Sequence, residues 1–159
     1  MFYIVIGQSG AGKTTFCKNN WLIEPYQRKE HIIPYTVCAN GVYALGKYGI
    51  GKRTEGTDTL SYNAKQKIKA QLKVFAKQGR DVLLEGDRIN NRETMEYIAS
   101  LGVPVKMYLI TCSVRTSMKR LRAAGSNITE TFVKTTKTKS KNIFLEYGSR
   151  FNGEVIKTE

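Results

Sequence analysis

Residues 7–14 read G-Q-S-G-A-G-K-T, the arrangement of glycine, lysine and threonine that is typical of a phosphate-binding loop, or P-loop. The apolar residues 4–6 predict a strand before this loop, and a helix is expected to begin near Lys13. Glycines let backbone N–H groups approach phosphate oxygens, and the helix N-terminus adds a dipole that favours an anion. The loop therefore predicts a site for a nucleoside triphosphate, ATP; the alternative is a chance match in an ordinary turn.

Each polar residue of the loop has an expected role. Lys13 should contact the β- and γ-phosphates as a catalytic residue, and the Thr14 hydroxyl should hold Mg²⁺. The predicted ATP-binding residues of the loop are Gly7, Gln8, Ser9, Gly10, Ala11, Gly12, Lys13, Thr14 and Thr15. ATP and Mg²⁺ are accordingly the predicted cofactors.

Three acidic residues are candidates for the chemistry that follows binding. Glu85 ends the apolar run 82–84, at the place where P-loop proteins carry an acid that orients Mg²⁺. Its alternatives are a helix cap or an exposed carboxylate at a strand end. Transfer of a phosphoryl group to an alcohol also needs a group that orients or deprotonates the attacking hydroxyl. Asp58 is the first candidate, with an ordinary N-cap as its alternative, and Asp87 is the second.

A cationic helix face is expected to cover the transferred phosphoryl group, on which negative charge develops in the transition state. Arg115, Lys119 and Arg122 lie at i, i+4 and i+7 and share one face, whereas Arg120 is expected to point elsewhere. We predict that Arg115 and Arg122 bind ATP and that Arg122 also takes part in catalysis. The alternative is an exposed basic helix.

Basic residues exceed acidic residues by 26 to 13, which gives a formal net charge of +13. Such an excess favours a polyanionic partner, here DNA, although a solubilising basic surface is the simpler alternative. The candidate nucleic-acid contacts are Lys47, Tyr48, Lys52 and Arg53 in the glycine-rich residues 41–56, and Lys134, Lys137 and Lys141 on the last helix. Tyr43 or Tyr48 is the expected stacking partner for a base that leaves the duplex.

Apolar periodicity predicts the elements that position these residues. Strands are expected at the N-terminus and at residues 32–37, 81–86 and 105–110; helices are expected from about residue 13, from 61, and at 92–101, 113–124 and 129–148. Residues 27–30 are predicted to be a polar connection, residues 41–56 irregular, and the end beyond residue 150 without pattern. Strands that alternate with helices predict an α/β fold, a parallel sheet in three layers of P-loop NTPase, nucleotide-kinase-like architecture, with the site at its carboxyl edge.

Length and composition narrow the class of protein further. Residues 1–159 are long enough for one domain, and no run is apolar enough to predict a membrane span or a leader peptide. Three widely spaced cysteines, Cys17, Cys38 and Cys112, predict reduced core thiols and a cytoplasmic protein. The N-K-x-D motif of GTPase switches is absent from the sequence, and the chain has no room for the extra module of a ring-forming motor.

Several blocks together resemble the small P-loop kinases of bacteriophages, and more narrowly those that phosphorylate 5-hydroxymethyluracil in DNA. The similar blocks are residues 7–14, 44–48 (A-L-G-K-Y), 56–60 (G-T-D-T-L), 84–86 (L-E-G), 120–122 (R-L-R) and 138–142 (T-K-S-K-N). The resemblance implies ATP-dependent transfer to the hydroxymethyl group of a DNA base in the host cytoplasm. The residues alone leave two alternatives open: a kinase of (deoxy)nucleoside monophosphates, and a non-catalytic ATP-binding module on nucleic acid. The oligomeric state is not predicted.

Overall fold

The computed structural model describes residues 1–50 and 54–159. In these residues one sheet contains seven strands: β1 (Phe2–Gly7), β2 (Gln27–Glu30), β3 (Pro34–Val37), β4 (Tyr43–Leu45), β5 (Val82–Glu85), β6 (Val105–Thr111) and β7 (Glu154–Lys157). The five α-helices of the same residues are α1 (Lys13–Asn20), α2 (Lys65–Lys77), α3 (Arg92–Ser100), α4 (Val114–Ala123) and α5 (Glu130–Tyr147). Short 3₁₀ turns occupy Thr57–Thr59 and Asp87–Ile89.

The strand order across the sheet is β2-β3-β4-β5-β1-β6-β7. From β4 to β7 every neighbouring pair is parallel, whereas β2, β3 and β4 pair antiparallel. Because β1 lies between β5 and β6, the carboxyl ends of these three strands meet at one edge of the sheet. The predicted α/β fold is therefore confirmed, with an antiparallel edge added to the parallel core.

Alternate residues of the central strands feed two separate apolar clusters, one on each face of the sheet. Phe2, Ile4 and Ile6 belong to the cluster that also contains the buried apolar residues of α2 and α3, and Ile143 and Tyr147 of α5. Val5 belongs to the other cluster, together with Cys17 of α1. Burying one such aliphatic side chain contributes about 1.5–3 kcal/mol, so these two clusters hold the helices against the sheet and produce the three predicted layers.

Three strands were not expected from the sequence. β2 consists of four exposed polar residues and forms because it pairs with β3 as a hairpin. β4 lies within the glycine-rich residues, and its Ala44 and Leu45 are buried beside β5. β7 lies beyond residue 150 and extends the sheet by pairing with β6. The predictions of a polar connection at 27–30, an irregular segment through 43–45 and an end without pattern were wrong.

Several local predictions are confirmed. The helices expected from residues 113 and 129 are α4 and α5. The side chains of Ser113 and Thr129 cap them by accepting hydrogen bonds from the backbone N–H groups of Thr116 and Phe132. Cys17, Cys38 and Cys112 are buried free thiols. Across residues 1–50 and 54–159, the helices are all too short or too polar to cross a membrane.

Candidate active site

The P-loop connects β1 to α1 at the carboxyl edge of the sheet. Two glycines let it pass close to neighbouring backbone. A Cβ on Gly7, where φ is +156°, would lie 2.2 Å from the carbonyl oxygen of Ile110 in β6. A Cβ on Gly10, where φ is +76°, would lie 2.8 Å from the carbonyl oxygen of Ser117 in α4. No other residue fits these positions without moving the backbone, so the loop is held tightly between β6 and α4.

The two polar residues at the start of α1 face inward. The Lys13 ammonium donates hydrogen bonds to the carbonyl oxygens of Gly7 and Gln8, each at 3.0 Å, so it lies over the curve of the loop. The Thr14 hydroxyl donates to Oε1 of Glu85 at the end of β5. The loop and the strand-end acid predicted from the sequence are thus joined by a direct contact.

Glu85 is buried, with 2% of its surface exposed. Its Oε2 accepts a 2.6 Å hydrogen bond from the Tyr48 hydroxyl, and its backbone carbonyl accepts one of 2.6 Å from Thr57. Burial raises the pKa of the Glu85 carboxyl, against the hydrogen bonds from Thr14 and Tyr48 and the nearby Lys13 charge, which lower it. The alternative of an exposed strand-end carboxylate is therefore wrong. A carboxylate and a hydroxyl at one place suit Mg²⁺, a cation that prefers oxygen ligands.

Replacing Glu85 with glutamine should raise the melting temperature relative to wild type, and more so at higher pH. Ionisation of Glu85 costs more in the folded than in the unfolded chain, so the wild-type free energy of unfolding falls as pH rises from about 4.3 through the raised folded-state pKa. The variant has no such ionisation. Each kcal/mol gained should raise Tm by about 2–4 °C, which calorimetry between pH 4 and pH 8 would measure.

Glu93→Gln is the matched control for that experiment, with the opposite sign. Hydrogen bonds from Lys69 and Lys65 lower the pKa of Glu93, so its stabilising effect is present above the ordinary carboxyl pKa and lost as pH falls. That variant should therefore lose stability relative to wild type as pH rises. If both variants changed with pH in the same direction, burial would not be what sets the pKa of Glu85.

Asp58 reaches the same site from the 3₁₀ turn Thr57–Thr59. Its Oδ1 accepts hydrogen bonds from the backbone N–H groups of Asp87, at 2.9 Å, and Arg88, at 3.3 Å. It therefore binds the start of the turn Asp87–Ile89 rather than capping α2, whose N-cap residue is Ala64. Asp87 is engaged elsewhere, since its carboxylate pairs with Lys139 at 3.1 Å.

A cavity of about 250 Å³ lies over the P-loop. Lys13, Thr14, Glu85 and Asp58 all line it, and so do Leu121, Ser126 and Ile128 from the far wall. The first four of these side chains surround one space, although they come from three separate segments of the sequence. An ammonium group, a hydroxyl and two carboxyl groups therefore face the same cavity.

The arginines of α4 do not form the cationic face that was expected over the transferred phosphoryl group. Arg122 is exposed and donates to the carbonyl oxygens of Ser126, at 2.7 Å, and Ile128, at 3.0 Å, so it fixes the loop that forms the far wall. Arg115 is exposed on the same helix, and neither arginine is among the residues that line the cavity. Their roles in binding ATP stay predictions. Arg120 instead contacts the loop, donating to the carbonyl oxygens of Gly10, at 3.4 Å, and Ala11, at 3.2 Å.

Two supports of the P-loop were not foreseen. The buried amide of Gln8 donates to the carbonyl oxygen of Cys112, at 2.7 Å, and to the Ser117 hydroxyl, at 3.1 Å. The backbone N–H of Ser9 donates to the Thr136 hydroxyl of α5 at 3.2 Å. Gln8 stands at a variable position of the P-loop pattern, and its partners lie more than 100 residues away, so the sequence carries no local signal for this contact.

The predicted aromatic contacts with nucleic acid are contradicted by the structure. Tyr48 is fully buried, and its hydroxyl is bonded to Glu85, so it has no ring face to offer a base. Tyr43 pairs with Val82 at the amino end of β5, on the edge of the sheet opposite the P-loop, and stacks on Tyr35. Both tyrosines therefore support the fold rather than contact an acceptor.

The predicted basic contacts are only partly free to bind. Lys47 and Lys141 are exposed. Lys134 pairs with Glu130 at 2.8 Å, and Lys137 donates to the carbonyl oxygen of Cys112 at 2.8 Å. Lys52 and Arg53 lie outside the described residues. Lys139 was not among the predicted contacts. It forms an ion pair with Asp87, whose backbone N–H donates to Asp58.

The loop with the P-loop sequence pattern thus lies between β1 and α1, at the carboxyl edge of a mostly parallel α/β sheet. No protein-family model matches this chain, and no curated protein is significantly similar to it. Two similar solved structures are those of deoxyadenosine kinase from M. mycoides with bound dCTP and with bound dATP, with TM-scores of 0.47 and 0.46. Each is 12% identical, and the matches cover 99% and 98% of this chain and 90% of each kinase. A likeness of this degree concerns the fold, and no function is transferred from it.

Proposed function

We propose that this protein is an ATP-dependent P-loop kinase that transfers a phosphoryl group to an alcohol, the hydroxymethyl group of 5-hydroxymethyluracil in DNA. The observation that carries the proposal is the shared cavity. Lys13 and Thr14 of the phosphate-binding loop, Glu85 and Asp58 line one space, in which a triphosphate and an acceptor hydroxyl can meet. A site that only bound ATP would need no carboxylate such as Asp58 on the wall of that space.

The residues divide the reaction between them. The N–H groups of the loop and the Lys13 ammonium hold the triphosphate and stabilise charge on the transferred group. Thr14 and Glu85 would hold Mg²⁺, which would supply positive charge to neutralise part of the triphosphate. The Asp58 carboxylate accepts the proton of the acceptor hydroxyl. The hydroxyl oxygen then bonds to the γ-phosphorus, the bond from that phosphorus to the β–γ bridging oxygen breaks, and ADP leaves with the electron pair.

Asp58 is preferred to Asp87 as the proton acceptor because of their partners. One oxygen of Asp58 is bonded to backbone N–H groups, and its side chain lines the cavity. Asp87 is neutralised by Lys139 and is not among the lining residues. Of these two candidates, Asp58 is therefore the one whose side chain lines the cavity.

The choice of DNA as the acceptor is supported by charge and by the resemblance. The net charge of +13 is more than a triphosphate site requires, and a polyanion accounts for it. A mononucleotide acceptor would leave most of this charge without a role. The hydroxymethyl group on C5 of the pyrimidine points into the major groove of a duplex.

Binding to DNA that contains 5-hydroxymethyluracil should depend steeply on salt. The logarithm of the binding constant should fall against the logarithm of salt concentration with a slope of about −0.9 for each duplex phosphate contacted. Lys47→Ala and Lys141→Ala should each make that slope shallower by about 0.9, whereas Lys73→Ala on α2 should not. Fluorescence anisotropy at several salt concentrations measures the slope. A flat titration, together with efficient phosphorylation of free hydroxymethyl-deoxyuridine monophosphate, would replace DNA with a mononucleotide as the acceptor.

A further inference from the structure

Tyr62 is the most exposed large apolar or aromatic side chain in the described part of the chain, with 87% of its surface accessible. It lies in the turn before α2, four residues after Asp58. A ring this open gains little from burial in the core and leaves a face free for a ligand.

Among the described residues, the partner of the ring is Arg88, which also contacts Asp58 of the candidate site. The guanidinium carbon of Arg88 lies 3.9 Å from the ring centroid, which is a close cation–π contact. The backbone N–H of Arg88 donates to Asp58, which lines the cavity over the P-loop. Two contacts therefore separate the exposed ring from the carboxylate that we place at the acceptor hydroxyl.

Arg88 is also short of partners for a charged side chain. Its Nε is buried without a hydrogen-bond acceptor, and within residues 1–50 and 54–159 no carboxylate pairs with its guanidinium. The ring of Tyr62 thus holds Arg88 in place by stacking. The outer face of the ring and the uncompensated positive charge beneath it are together suited to a π-system that carries phosphate.

We propose that Tyr62, backed by Arg88, is the platform on which the acceptor nucleobase stacks while its hydroxymethyl group faces Asp58. The proposal rests on the proposed function and adds to it the surface that receives the base. It assigns to Tyr62 the stacking role that the sequence suggested for Tyr43 or Tyr48, both of which are engaged in the fold. A base that stacks there has left the duplex or comes from a single strand, since the face of a paired base is covered by its neighbours.

Kinetics on the acceptor provide the first test. Tyr62→Ala should raise KM for a 5-hydroxymethyluracil oligonucleotide about 5- to 150-fold, the range given by base–aromatic stacking. KM for ATP should change little, because Tyr62 does not line the cavity over the P-loop. Tyr62→Phe should retain the wild-type KM, whereas Tyr62→Leu, which keeps apolar surface but has no ring, should behave like the alanine variant. Leu145→Ala, at a side chain that is 70% exposed on α5, is the matched control.

Photocrosslinking gives a second readout, which does not depend on turnover. An oligonucleotide that carries 5-iodouracil in place of the target base, irradiated with wild-type protein, should crosslink to Tyr62, as mass spectrometry of the peptides would show. A crosslink confined to Phe132 or to another residue, or an unchanged acceptor KM in Tyr62→Ala, would overturn the platform. Either of these results would leave the proposed kinase function standing. That function fails if the wild-type protein transfers no phosphate to any acceptor.

Discussion

Replacing Lys13 with alanine should lower phosphoryl transfer by at least about two to three orders of magnitude, the loss expected for one preorganised donor to developing charge. Lys13 lies over the loop through hydrogen bonds to two of its carbonyl oxygens and is the only ammonium of the described residues that lines the cavity. Single-turnover transfer of labelled phosphate from ATP measures the effect.

The fold should survive this substitution, because the Lys13 side chain contacts backbone carbonyl oxygens of the loop rather than the core. Circular dichroism and Tm of the variant should match those of wild type within a few degrees. Lys73→Ala removes the same charge from an exposed position of α2 and should leave transfer unchanged. Near-normal turnover in Lys13→Ala with an intact fold would remove Lys13 from the mechanism.

Asp58→Asn should lower kcat by roughly two to four orders of magnitude, the range of general acid–base assistance. Asparagine keeps an oxygen that can accept the N–H groups of Asp87 and Arg88, so the turn Asp87–Ile89 should persist. The amide cannot take a proton from the acceptor hydroxyl. ATP affinity, measured by calorimetric titration, should hardly change.

Asp87→Asn separates the two candidate carboxylates. It removes the charge paired with Lys139 and leaves the cavity-lining Asp58 in place, so a much smaller loss of kcat is expected. The opposite ranking of the two variants would make Asp87 the proton acceptor. A collapse of ATP binding in Asp58→Asn would instead assign that residue to the cation or to the fold.

The elements predicted correctly from the sequence are those whose signal lies within a few consecutive residues, such as a helix that buries one apolar face. Ile68, Leu72 and Phe75 recur at helical spacing, and all three are buried on α2. The P-loop was predicted for the same reason, since its glycines, Lys13 and Thr14 carry their meaning within eight residues. A helix that packs one face on a sheet needs apolar residues at helical spacing, and this spacing is visible in the sequence.

The strands that were missed obtain their structure from a neighbour. The four residues of β2 are exposed and polar. In β7, Val155 is 46% exposed and only Ile156 packs against the core, which is too little pattern to predict a strand. β2 forms because it hydrogen-bonds to the backbone of β3, and β7 forms because it hydrogen-bonds to the backbone of β6. Such pairing depends on what lies alongside in space, which a single sequence does not state.

The same limit applies to the site. Asp58 meets Asp87 and Arg88 about 30 residues away, and Arg120 meets the P-loop across more than 100. Helical spacing placed Arg120 on a different face of α4 from Arg122, and the two arginines do contact different segments. The spacing did not reveal that the face of Arg120 is the one that packs against the P-loop. Tyr48 was misjudged because composition cannot distinguish an aromatic residue in a surface loop from one buried against Glu85.

The most direct test of the proposed kinase is transfer of the γ-phosphate itself. Wild-type protein and Lys13→Ala would receive γ-labelled ATP with an oligonucleotide containing 5-hydroxymethyluracil, its thymine counterpart and hydroxymethyl-deoxyuridine monophosphate. Both oligonucleotide ends would be blocked by phosphate, so that the hydroxymethyl group is the one free alcohol. We expect label in the hydroxymethyluracil oligonucleotide with wild-type protein alone and none in the thymine oligonucleotide. Absence of label from every acceptor, with ATP bound by the wild-type protein, would contradict the assignment of this site as a kinase.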